Sequence, residues 1–200
     1  MATHTLVRHG QASFGADDYD QLSDLGRRQC LRLGQYWAAR GLGFDHVYTG
    51  TLKRHRQSYE AMAEGLGGLP EPEALPGLNE YDSEAVVRTV HVGDLRKATT
   101  PEEARQHFRL LREGLLRWMA GQVQPEGMPR HADFVAGVAD ALARARARAD
   151  QRVLVVSSGG PISAALGLVL DLAPPAVVEL NMRLRNSALS RSEEHTSELQ

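Results

Sequence analysis

The chain has 200 residues, 42% of them hydrophobic and 24% charged, with a formal net charge of −2. That balance suits a soluble globular domain with a sizeable core and argues against the basic field of a nucleic-acid binder. One cysteine, Cys30, excludes an internal disulfide framework and a cysteine-based zinc site; no apolar run approaches the length of a membrane span, so the cytoplasm is the expected compartment.

Residues 3–8 (Thr5, Leu6 and Val7 at their centre) predict a strand that delivers Arg8 and His9 side by side, with Gly10 directly after. Neighbours on an extended strand face opposite ways, so a turn must begin at His9 for both side chains to reach one pocket. Gly10, tolerant of positive φ, makes that turn easy. A polar loop from Gln11 to Gln21 leads to Ser23, a predicted N-cap for a helix reaching about Arg40. Gly26, Cys30, Leu33 and Trp37 share one face of it, so Cys30 is expected in the core. A second strand is predicted over 44–49 and a helix over 51–66, the latter with Leu52, Tyr59, Met62 and Leu66 on one side and stopped by Gly67 and Gly68. Leu75 and Leu78 mark a third strand.

Residues 83–128 read as a helical insertion over the sheet. Thr100-Pro101-Glu102-Glu103 combines a capping box with proline at the first helical position. Ala104, Phe108, Leu111, Leu115 and Trp118 form the apolar stripe that follows. A helix over 131–149 turns Phe134, Val138, Leu142 and Ala145 inward and leaves Arg144, Arg146 and Arg148 as a solvated face. Val153 to Val156 is a continuous apolar run, as in a parallel strand buried on both faces. Ser157-Ser158-Gly159-Gly160-Pro161 turns it into another helix, and a further strand is expected within 177–190. Strands alternating with helices predict a three-layer α/β/α sandwich around a mainly parallel sheet, in one domain over residues 1–190.

Residues 191–200 match the direct translation of a widely used short-read sequencing adapter. They are therefore expected to be an artefact on a truncated C-terminus, with few contacts and no shared strand. Without them the basic and acidic residues balance.

Open α/β sheets bind ligands at the carboxyl ends of their strands, and four such ends here carry reactive groups. Arg8 and His9 follow the first. Arg54 lies in the first turn of the helix after the second, where the helix N-terminus also favours an anion. Glu80 follows the third, and the Ser158-Gly159 turn, whose backbone N–H groups suit phosphate, follows the late strand. Arginine grips phosphate oxygens bidentately, and a neutral imidazole is a competent nucleophile toward phosphorus. His55, His91 and His131 are expected at the surface.

Taken together the sequence resembles the histidine phosphatase superfamily, with its phosphoglycerate-mutase-like fold, over about residues 3–190. Arg8-His9-Gly10 matches its signature, and Leu22 to Gly26, on to Gln29, its following helix start. Tyr48 to Arg54 with Gln57 and Ser58 resembles its second arginine segment. Glu80 falls at its acid/base carboxylate and Val153 to Pro161 at its late strand-turn-helix. One position departs: where the family's turn carries a phosphate-binding histidine, this chain has Ser158.

The resemblance implies a phosphatase acting on a small phosphorylated substrate. His9 would attack phosphorus to form a phosphohistidine, Glu80 would protonate the leaving oxygen, and Arg8, Arg54, Ser158 and Gly159 would bind the phosphoryl group. Neither metal nor other cofactor is implied, because the arginines neutralise the equatorial oxygens. Their charges should also hold His9 neutral near pH 7. Two alternatives stay open: a phosphoglycerate-type mutase, and a phosphate-ester binder with little turnover. No membrane or nucleic-acid partner is expected. Restoring histidine at position 158 is expected to raise turnover.

Overall fold

The computed structural model describes residues 2–13, 20–93, 100–148 and 151–194. Five strands form one sheet in the order β3-β2-β4-β1-β5: β1 (Ala2–Arg8), β2 (His46–Thr49), β3 (Glu73–Ala74), β4 (Arg152–Ser157) and β5 (Leu189–Glu194). Every pair is parallel except β1 with β5. The mainly parallel sheet expected from the alternation of elements is present.

Strand alternation divides the core in two. Leu6, Tyr48, Val153 and Val155 face Val138, Ala141 and Ala145 of α5 (His131–Arg146) and Ile162, Ala164 and Ala165 of α6 (Gly159–Leu170). Val7, Val47, Leu154 and Val156 face Cys30 and Trp37 of α1 (Asp24–Ala38) and Tyr59, Ala61 and Met62 of α2 (Lys53–Leu66). Full burial of a Val or Leu side chain contributes about 1.5–3 kcal/mol, so both faces hold β4 at the centre of the sheet. Among the described residues no helix is long and apolar enough to cross a membrane.

The stretch read as an insertion from the sequence contains α3 (Ser83–Arg88) and α4 (Pro101–Met119). The Thr100–Glu103 capping box forms in both directions. Val86, Val87, Leu111, Leu115 and Trp118 build a third apolar cluster with Val178 of α7 (Pro174–Arg183). Phe108 is not in it: the residue is 55% exposed, because the cluster reaches only the C-terminal half of α4.

Three sequence expectations need correction. The third strand is the two-residue β3, and Leu78 lies beyond it in a 3₁₀ turn (Pro76–Leu78), since Pro76 cannot extend a ladder. The stretch 177–183 is helical rather than extended, because Pro174 and Pro175 start α7 and its apolar side chains then pack at helical spacing. Residues 191–194 were expected to share no strand, yet Arg191, Ser192, Glu193 and Glu194 pair with Thr5, His4, Thr3 and Ala2. Edge pairing is a main-chain interaction, and the side chains of 191–193 stay exposed, so their identity is a weak constraint on the ladder. Residues 195–200, and 14–19 of the polar loop, lie outside the described residues.

Candidate active site

The sheet ends β1 at Arg8, and the chain leaves the ladder at His9, whose N–H still bonds the Ser157 carbonyl at 2.9 Å. That exit lets successive side chains address one pocket. Gly10 is required for close approach and not for a positive φ: a Cβ there would lie 2.4 Å from the Gly26 carbonyl oxygen and 3.0 Å from Cys30 Sγ. The turn is braced from α2, where Ser58 Oγ accepts from Gly10 N–H (3.1 Å) and donates to the Arg54 carbonyl (2.7 Å). Gln29 and Gln57 accept from the N–H groups of Gln11 and Leu22.

His9 is 5% exposed, and its Nδ1–H donates to the Gly10 carbonyl at 2.6 Å. That bond assigns the tautomer and leaves the lone pair on Nε2. Burial, then repulsion from Arg54 and Arg8, lowers its pKa to about 3 against the upward pull of the Gly10 bond. The imidazole is neutral at pH 7.

Arg8 donates from Nη1 to the Leu184 carbonyl, while its Nε is buried without a hydrogen-bond partner among the described residues. A Cβ at Gly159 would lie 2.6 Å from Asn181 Oδ1, so the glycine gives that side chain room, with the Arg8 guanidinium carbon at an ordinary 3.6 Å. Arg54, 8% exposed, sits in the first turn of α2 and meets Asp20 at 2.8 Å. Asp20 also accepts from the Lys53 N–H (2.8 Å) and the Arg54 N–H (3.4 Å). The expected anion site at this helix start thus holds a carboxylate of the chain itself.

Glu80 follows the 3₁₀ turn and reaches α6, where the Gly160 N–H donates to Oε1 at 3.1 Å and Oε2 at 3.3 Å. Burial raises its pKa, opposed by the Gly160 bond and by the charges of Arg8 and Arg54. Gly160 leaves space for it, since a Cβ would stand 2.2 Å from Glu80 Oε1 and 2.5 Å from the Tyr81 ring. One amide of the glycine-rich turn expected to cradle phosphate is therefore engaged by Glu80. Tyr81 Oη accepts from Asn181 Nδ2 at 2.7 Å, tying this wall to α7.

Ser158 is fully buried at the N-cap position of α6, yet its side chain makes no capping bond. It meets His55 Nε2 at 2.7 Å. His55 is therefore not a surface residue: it is 0% exposed, with its ring centroid 5.6 Å from that of His9. Its pKa is held well below the usual value by burial, then by His9 and Arg54. His131 lies against Trp118 with centroids 4.9 Å apart, and His91 follows α3. Sequence reasoning missed His55 and Asp20. A signal for the first existed, because Arg-His occurs at 54–55 as it does at 8–9, each time after a strand.

The fold and the placement of these groups define a class first: an α/β protein of the phosphoglycerate-mutase-like fold, with an Arg-His pair at the end of its first strand. The chain belongs to the histidine phosphatase superfamily (branch 1), which it matches over residues 4–199. It is 28% identical over 199 residues to the probable phosphoglycerate mutase GpmB of Klebsiella pneumoniae, covering 93% of this chain and 82% of the relative. The corresponding protein of Cronobacter sakazakii is 29% identical over 193 residues, with the same coverage. Among solved structures the fold is similar to that of phosphoserine phosphatase from Entamoeba histolytica in complex with 3-phosphoglyceric acid. That likeness has a TM-score of 0.65 at 19% identity and covers 96% of this chain and 90% of that one. A mycobacterial glucosyl-3-phosphoglycerate phosphatase is equally close, with a TM-score of 0.65, 21% identity and coverage of 98% and 91%.

Proposed function

We propose that the protein is a phosphoester hydrolase working through a phosphohistidine on His9, with a small phosphorylated substrate. The observation that carries this is the His9 Nδ1–H bond to the Gly10 carbonyl, in a site where the imidazole stays neutral. It leaves Nε2 with a lone pair beside two guanidinium groups. Nε2 attacks phosphorus in line, and the bond to the leaving oxygen breaks with its electron pair going to that oxygen. Glu80 supplies the proton, a role suited to a carboxyl whose pKa is raised by burial. Arg8 and Arg54 hold the equatorial oxygens and balance their charge. Water, deprotonated by the Glu80 carboxylate, then attacks the phosphohistidine; the P–N bond breaks, phosphate leaves, and neutral His9 returns.

The arginine on Asp20 and the carboxylate on Gly160 fit this cycle. Phosphate reaches Arg54 by displacing or sharing the Asp20 carboxylate, and Glu80 is held close to the Arg8 and Arg54 charges. A mutase is the second reading, favoured by the curated relatives and chemically identical through the first half of the cycle. Time-resolved phosphate release from a phosphoester panel that includes 3-phosphoglycerate separates the two. Release with trapping of an acid-labile, base-stable phosphoenzyme is expected. The His9→Ala variant should fold and lose both signals, and turnover near wild type in it would refute the nucleophile.

A further inference from the structure

His55 is the buried group that the phosphatase cycle above leaves without a task. Its Nε2 lies 2.7 Å from Ser158 Oγ, and its Nδ1 is buried without a hydrogen-bond partner among the described residues. Gly50 makes room for the ring, since a Cβ there would sit 2.2 Å from Nδ1 and 2.7 Å from Cε1. An N–H on Nδ1 would therefore be a buried donor facing nothing, and orphaned buried N–H groups are rarer than unsatisfied acceptors. The other tautomer places the proton on Nε2 and donates it to Ser158 Oγ. Ser158 Oγ then accepts from His55, and its hydroxyl hydrogen is left to donate elsewhere.

We propose that His55 is a positioning residue that orients the Ser158 hydroxyl as a donor to the phosphoryl group on His9, so that the pair replaces a single histidine at the late turn. The inference rests on the phosphatase reading. The geometry beside it is the His55 ring, tilted 41° to His9 at 5.6 Å, on the helix that also carries Arg54. The neutral state fits an imidazole that donates one hydrogen bond and carries no charge. The same geometry revises the expectation for position 158. Ser158 is fully buried against His55, so an imidazole placed at 158 alone would meet the ring already there.

The test is a double-mutant cycle read on p-nitrophenyl phosphate and on phosphoenzyme trapping. Ser158→Ala is small and should fold as wild type; kcat/KM should fall about 10- to 100-fold, at the low end for an oxyanion donor because Arg8 and Arg54 still bind the phosphoryl group. His55→Ala should fall by a similar factor, and the double variant no further than either single one. His55→Gln, whose amide can still donate to Ser158, should recover much of the His55→Ala loss at equal melting temperature. Ser158→His should be poor alone but improved in the His55→Ala background. Wild-type kinetics in Ser158→Ala, multiplicative losses in the double variant, or no rescue by glutamine would each overturn the proposal. A wild type that neither releases phosphate nor forms a phosphoenzyme overturns the phosphatase reading itself, and the role of the pair with it.

Discussion

Two helix starts close the candidate pocket, and each is met by a carboxylate in a different setting. At α2, Asp20 joins Lys53 N–H, Arg54 N–H and the Arg54 guanidinium, and its side chain is 36% exposed. At α6, Glu80 joins the Gly160 N–H in a site whose burial raises its pKa. Both helix starts offer partial positive charge. The difference lies in water. An exposed carboxylate paired with arginine is a charged group that another anion can displace, whereas a buried one near the same arginines can carry a transferable proton. On the proposed reading, one end of the pocket serves exchange of anions and the other proton transfer.

Glu80→Gln breaks the comparison at its stronger end, because it keeps the size and the Gly160 bond but removes the proton. Turnover of alkyl phosphates should fall about 10²–10⁴-fold and that of aryl phosphates much less, their leaving groups needing little protonation. Equal losses on both substrate classes would make Glu80 structural. The same assignment predicts that kcat falls as pH rises through the raised pKa of Glu80, a limb that glutamine should abolish.

Stability against pH sharpens the contrast between buried and exposed groups. His9 has a folded pKa of about 3, below its unfolded value near 6.5. The unfolded chain therefore binds more protons between those values, and stability should fall as pH drops from about 6.5 toward 3. Urea denaturation across that range should show a shallower slope for His9→Asn than for wild type. Asp20→Asn is the mildest change. It retains a side-chain oxygen for the Lys53 N–H but removes the charge on Arg54, worth roughly 0.5–1 kcal/mol for a partly exposed pair. Inorganic phosphate should then inhibit about two- to fivefold more tightly. Unchanged inhibition would place the bound anion away from α2.

The site residues legible in the sequence are those that follow strands directly. Arg8 and His9 were readable because an apolar run precedes them and Gly10 follows, and Ser158 because Val153–Val156 runs into a glycine-rich turn. Glu80 was placed after a third strand that has only two residues, and its acid/base role required the resemblance to a family. His55 was misread for a geometric reason. It is one residue past Arg54, about 100° further round a helix, and nothing in a single helical turn says whether that direction meets solvent or β4's end.

By itself the sequence determined the layer order, the parallel strands and the Arg-His pair, because hydrophobic period, caps and glycines act over a few residues. The rest depended on contacts between distant segments. The docking of α1 on the β1 turn explains Gly10 by its approach to Gly26, and the edge of β1 pairs with residues 189–194 in an antiparallel ladder. The packing of α2 against the end of β4 turns His55 inward to Ser158, 103 positions away in the chain. Such pairings follow from which surfaces bury one another, a property that only the folded chain possesses.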